Sequence, residues 1–90
     1  MKYIVLNIIT KLGEREIPII FPNSLVHADM ADAMKGVLGP EAIVVAAGEL
    51  PSFSIDGECS GHSESCKKVS RGKIDDILIK MHDYLHGIVA

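Results

Sequence analysis

Residues 3–21, YIVLNIITKLGEREIPIIF, read as two strands and a turn, and this hairpin sets the class of the fold. Tyr3 to Ile9 is β-branched and almost wholly apolar, the pattern of a central strand covered on both faces. Lys11-Leu12-Gly13-Glu14 is a polar turn carrying a glycine. Glu16 to Phe21 is a second strand, with Ile17, Ile19 and Phe21 on one face. Pro18 cannot donate to a ladder, which places this strand at a sheet edge or at a bulge.

Downstream of the hairpin, Pro22-Asn23-Ser24 opens a helix expected over 24–38, with Asn23 or Ser24 as its N-cap. Val26, Met30, Ala33, Met34 and Val37 would form its apolar face, with Asp29 and Asp32 on the polar side. Gly39-Pro40 stops it. Ala42 to Ala47 is a short apolar run and a third strand. Gly48 marks a bulge or a close backbone approach. Leu50, Phe53 and Ile55 continue extended structure, interrupted at Pro51. Asp56-Gly57 suits a tight hairpin turn, and Glu58 to Ser60 would return as a last short strand. Ser70 is the expected cap of a final helix over 71–86, with Asp75 and Asp76 favourable to its dipole. Its buried stripe would be Ile74, Ile77, Leu78, Met81, Leu85 and Ile88. Asp75, Ile79, His82 and His86 would lie beside that face, leaving Ile79 as an exposed contact for a partner or a dimer.

The order is β-β-α-β-β-α. Hairpins dominate, so the expected fold is α+β: a mostly antiparallel sheet of four or five strands with both helices on one face, a two-layer sandwich. The 90 residues make one domain, 1–90. A chain of this length buries roughly 65% of its unfolded surface, enough for one core. With 48% apolar and 23% charged residues, the composition is that of a folded chain. A net charge of −3 argues against nucleic acid and anionic membrane as partners, since phosphates need a basic surface. No apolar run reaches the length of a membrane span. Asn7 and Lys11 break the N-terminal run too early for a signal peptide. The expected compartment is the cytoplasm, with both cysteines as reduced thiols.

Gly57 to Leu78, GECSGHSESCKKVSRGKIDDIL, carries both cysteines, a histidine and four of the nine basic residues, Lys67, Lys68, Arg71 and Lys73. Cys59, His62 and Cys66 fall as C-x2-H-x3-C. With a fourth ligand they would make a tetrahedral zinc site, and His82 and His86 at i,i+4 could reach one ion. Paired CxxC knuckles are missing, and the plainer reading is two half-buried thiols and solvated histidines. A thiolate–imidazolium pair of Cys59 or Cys66 with His62 lacks an oxyanion hole and an orienting third residue. Neither phosphate-binding glycine motif is present. His27, in the first turn of the first helix, reads as a partly buried residue bonded to backbone or solvent. No cofactor is expected.

The segments IIFPNSLVHADMADAM, VVAAGEL and G-H-S-E-S…S-R-G-K-I-D-D-I-L-I resemble a group of small proteins encoded by tailed bacteriophages and prophages. The likeness covers most of residues 1–79. It departs at Cys66, where relatives carry an aliphatic residue, and this counts against a shared Cys/His metal site. The resemblance implies a phage accessory protein in the host cytoplasm and carries over no functional residues. The expectation is therefore a non-enzymatic protein that binds a host or phage macromolecule, with a protein partner or a second copy as occupant. The alternative is a small metal- or ligand-binding domain centred on Cys59, His62 and Cys66. Loops on a rigid scaffold carry recognition, so Ser63, Glu64, Arg71 and Lys73 are the candidate binding residues. Arg71 leads because a guanidinium at a helix entry pairs bidentately with carboxylate or phosphate. The competing role for Arg71 is internal, bridging the serine-rich loop to Asp75.

Overall fold

The structure, a computed structural model, describes residues 1–50 and 59–89, with side chains described to His82. The elements are β1 (Lys2–Thr10), β2 (Gly13–Phe21), α1 (His27–Leu38), β3 (Ile43–Glu49), β4 (His62–Ser63), β5 (Lys68–Val69) and α2 (Lys73–Val89). β1 lies in the middle of an antiparallel sheet of order β2-β1-β3. Tyr3, Ile4, Val5 and Leu6 are fully buried, as their unbroken apolar character requires. Pro18 pairs with Val5 from the edge strand, where its missing N–H removes no bond from a second neighbour. The turn between β1 and β2 is fixed by Thr10, whose Oγ1 accepts the Leu12 N–H at 3.2 Å and donates to the Gly13 carbonyl at 2.8 Å. Gly13 has φ 114°, a conformation that a side chain disfavours.

Among the described residues the main sheet has three strands, not the four or five expected. At the last residue of β3, Glu49, Ser60 makes a single antiparallel bridge. The chain then leaves the sheet at Gly61 (φ 85°) and closes its own two-stranded hairpin, β4–β5. The expected strand through Phe53 and Ile55 and the Asp56-Gly57 turn lie outside the described residues.

The helices lie on opposite faces of the sheet, not on one. Successive residues of β1 point to opposite sides. Ile4 and Leu6 pack in a cluster with Phe21, Ala31, Ala42, Val44 and Ala47, flanked by Met30, Met34 and Leu38 of α1. Tyr3 and Val5 pack with Ala46, Cys59 and Ile79, flanked by Leu78 of α2. The result is three layers, helix, sheet and helix, with β1 sealed from both sides. A register shift between Val5 and Leu6 makes Val45 an extra residue in β3. This bulge brings Val44 and Ala47, three positions apart, into the same layer.

Both helices are rotated from the expected faces. α1 starts at His27, because Asn23 and Ser24 are used in a turn closed by Leu25 N–H to the Pro22 carbonyl, 3.1 Å. Its N-cap residue, Val26, has no capping side chain. The buried face is His27 and Ala31, with Met30, Met34 and Leu38. Ala33 is exposed, and so are Val26 and Val37, the last at 75%. Gly39 ends the helix as expected, its N–H bonded to the Lys35 carbonyl at 2.9 Å. Over 73–82, the part of α2 whose side chains are described, the buried positions are Asp75 and Ile79, with Leu78 of the expected stripe beside them, so Ile79 is core and not a free contact; Leu85, His86 and Ile88 lie outside the described side chains. Ile74, Ile77 and Met81 face outward. The expected stripe followed the count of apolar residues; the actual rotation follows Asp75, which is held by hydrogen bonds beneath the helix.

Candidate functional site

The segment from Ser60 to Lys73 is a short hairpin on a polar foundation. Ser60 and Glu49 exchange backbone hydrogen bonds of 3.1 and 2.8 Å. They approach so closely that a Cβ on Gly48 would lie 2.4 Å from the Ser60 carbonyl oxygen, which is the close approach expected at this glycine. At the tip, Ser63 Oγ accepts the Cys66 N–H at 3.1 Å and lies 3.2 Å from Ser65 Oγ. Ser65 Oγ in turn accepts the Ala28 N–H at 3.2 Å. The first turn of α1, lacking a cap of its own, is therefore capped by the hairpin. Beneath this junction, His27 Nε2 lies 3.1 Å from the Gly48 carbonyl and donates to it, while the ring meets Phe21 edge-on at 5.4 Å. This is the backbone-bonded role expected for His27.

An open groove of about 410 Å³ runs between the hairpin and the start of α1. Lys2, Glu49, His62, Glu64 and Ser65 supply its polar walls. Glu64 is 94% exposed in its side chain and stands 3.8 Å from His62 Nε2. A second open groove, about 300 Å³, lies on the other side of the tip, where Cys66 sits among Asp32, Lys35 and Lys68.

The structure separates the four candidate binding residues. Glu64 and Lys73 are exposed. Ser63 is buried, its hydroxyl spent on the turn. Arg71, half-buried, is engaged by its own chain: Nη1 and Nη2 donate to the two oxygens of Glu16 at 2.8 and 3.1 Å, and Nε donates to Asp75 Oδ1 at 2.6 Å. The bond to Glu16, more than that to Asp75, pushes its pKa upward. The guanidinium fork expected to meet a partner's carboxylate or phosphate is taken up by Glu16 of its own chain, and Nε makes the internal bridge to Asp75 that was the competing role.

Asp75 collects the rest of this network. Its Oδ2 accepts the Arg71 N–H at 2.8 Å and the Tyr3 hydroxyl at 2.5 Å. The phenol keeps its one proton and donates it in the hydrogen bond to the carboxylate. Ser70, 2.7 Å from the phenol oxygen, can turn its own proton toward it while its Oγ accepts the Gly72 N–H at 3.0 Å. Ser70 therefore braces the entry to α2, and the helix itself begins three residues later, at Lys73. Burial first, then the bond to Asp75, drives the Tyr3 pKa upward. The Cys59 thiol is also pushed up, to about 11, by burial first and then by the negative charges of Asp76 and Asp75. It is an inert thiol.

The residues of the alternative metal site do not meet. Cys59 packs in the layer under α2, Cys66 against the layer under α1, and His62 is exposed on β4. The sheet stands between the two sulfurs. Among the described residues, no three His, Cys, Asp or Glu side chains gather where a metal could be held. Also among them, no helix is long and apolar enough to cross a membrane. Two participants escaped the sequence reading. Glu16 and Tyr3 lie 55 and 72 positions from their partners, and no local spacing could have joined them. The Arg71–Asp75 pair, at i,i+4, was legible. Compared with family models, with curated proteins and with solved structures, the chain matches none.

Proposed function

We propose that this is a small phage accessory protein of the host cytoplasm that acts without catalysis, by docking a protein of the host or of the phage through the β4–β5 hairpin and the groove beside it. One observation carries the reading. The hairpin is anchored at its base by the Ser60–Glu49 bridge and at its tip by Ser65 on α1, yet His62, Glu64, Lys67 and Lys68 all point to solvent. Mixed charges on a fixed backbone suit recognition, because little ordering entropy is lost on binding. The phage assignment extends the likeness of the F-P-x-x-L-x-H, V-V-A-A-G and S-R-G-K-I-D-D segments.

The test is quantitative capture from host lysate with wild type, Glu64→Lys and the double variant His62→Ala/Lys68→Glu. All three positions are exposed, so melting should change little. The same captured protein should be depleted with both variants. Capture that is indifferent to both changes would end this reading.

A further inference from the structure

Residues 27 and 28 begin α1, and each is tied to a different part of the hairpin. His27 Nε2 donates to the Gly48 carbonyl at 3.1 Å, and Gly48 lies directly against the Ser60 carbonyl at the hairpin base. Ala28 N–H is one of the donors that a helix leaves without an internal acceptor. It goes to Ser65 Oγ at the hairpin tip, 3.2 Å away in space and 37 positions away in the chain. No nearer side chain caps this end: Val26 at the N-cap position has no group to do it.

The tip turn holds strain. Lys67 has φ 55°, a conformation that glycine takes freely and a branched side chain resists. Cys66, next to it, rests half-buried against the layer under α1. Ser63 is buried, and its Oγ accepts the Cys66 N–H and meets the Ser65 hydroxyl. The shape of the turn over 64–67 therefore sets where Ser65 stands, and Ser65 sets whether α1 keeps its cap.

We infer that the hairpin regulates α1: whatever firms or loosens the turn over 64–67 tightens or frays the first turn of α1 through Ser65. The same movement reaches the groove of about 300 Å³ beyond the tip, whose walls include Ala28, Ala31, Asp32 and Lys35. Hairpin and groove are coupled, and the coupling runs equally in both directions. A partner that grips the hairpin is one such input, and this part alone rests on the docking reading.

Amide hydrogen exchange of the full chain, followed by NMR, reads the coupling with no partner present. Lys67 is exposed and lines neither groove, so its variants reach α1 only through the turn. Lys67→Gly relieves the turn, and Lys67→Val strains it further. The reporters are the amides of Ala28 and of Met30, whose N–H bonds the Val26 carbonyl at 3.2 Å. Both should exchange at least about threefold more slowly in Lys67→Gly than in Lys67→Val. Ser65 is exposed, so Ser65→Val and Ser65→Thr, alike in shape but differing in the hydroxyl, should both fold. Ser65→Val should exchange at the two amides about fivefold faster than Ser65→Thr. On the Ser65→Val background the effect of Lys67 should vanish, and on Ser65→Thr it should remain. Reporter amides indifferent to Lys67, or a Lys67 effect that survives Ser65→Val, overturn the inference. A protein captured through Glu64 should slow the same two amides when added to wild type, and one that leaves them unchanged also overturns it. Capture indifferent to Glu64→Lys counts against the docking reading alone, and the Lys67 and Ser65 comparisons still decide the coupling.

Discussion

Asp75 shows how one side chain can set the position of a helix. A carboxylate without solvent is costly unless it is fully bonded, and here two N–H groups and a phenol supply the bonds. Removing the acid strands the partners. Asp75→Ala should therefore cost about 3 kcal/mol, whereas Tyr3→Phe, which loses a hydroxyl and keeps the ring, should cost about 1–2 kcal/mol; urea unfolding measures both. Cys59 gives a pH signature. Unfolded chains release this thiol proton near the ordinary value of 9.0, while the folded protein holds it to about 11. Its contribution to stability is whole below pH 9 and falls as pH rises from about 9 to about 11. Cys59→Ala should flatten that part of the decline, and a series of denaturation midpoints at alkaline pH reads it directly. The local half of the Asp75 network was visible in the sequence as an i,i+4 pair with Arg71. The distant half, Tyr3 and Glu16, depends on how the sheet folds over, and no spacing along the chain encodes that.

At the level of elements, β1, β2, β3 and the two helices fall close to where periodicity puts them, but the β4–β5 hairpin was not expected and the helix faces differ. In α2 the apolar residues outnumber the alternatives on the wrong side, and an aspartate looks like a surface residue until its partners are known. The rotation is testable by truncation. Ile79→Ala, at a position 5% exposed, should cost about 2–4 kcal/mol, while Ile74→Ala should stay within about 0.5 kcal/mol. The reverse order would restore the stripe expected from the sequence. Gly48, paired with Tyr3 on this same side of the sheet, offers a second check. A methyl there collides with the Ser60 carbonyl, so Gly48→Ala should lose stability and speed amide exchange at Glu49 and Ser60, which hold the hairpin base.

For the whole molecule, the sequence revealed that β1 is covered twice but not by what. Tyr3, Ile4, Val5 and Leu6 demanded two apolar layers, and one helix serves each. A four- or five-stranded sheet with both helices together would have left one side of β1 bare. The short, polar run from Gly61 to Ser70 is too poor in apolar residues to add strands to that sheet, and it becomes a capping hairpin instead. The double covering of β1 also has a consequence in time. The layer on Ile4 and Leu6 can close once the chain reaches Ala47, but the layer on Tyr3 and Val5 waits for Cys59 and Ile79. At a synthesis rate of roughly 5–20 residues per second, the nascent chain carries an uncovered tyrosine and valine for several seconds. During that interval the exposed side of the sheet is a target for chaperones, and a ribosome stalled before the codon for Asp75 would leave it open.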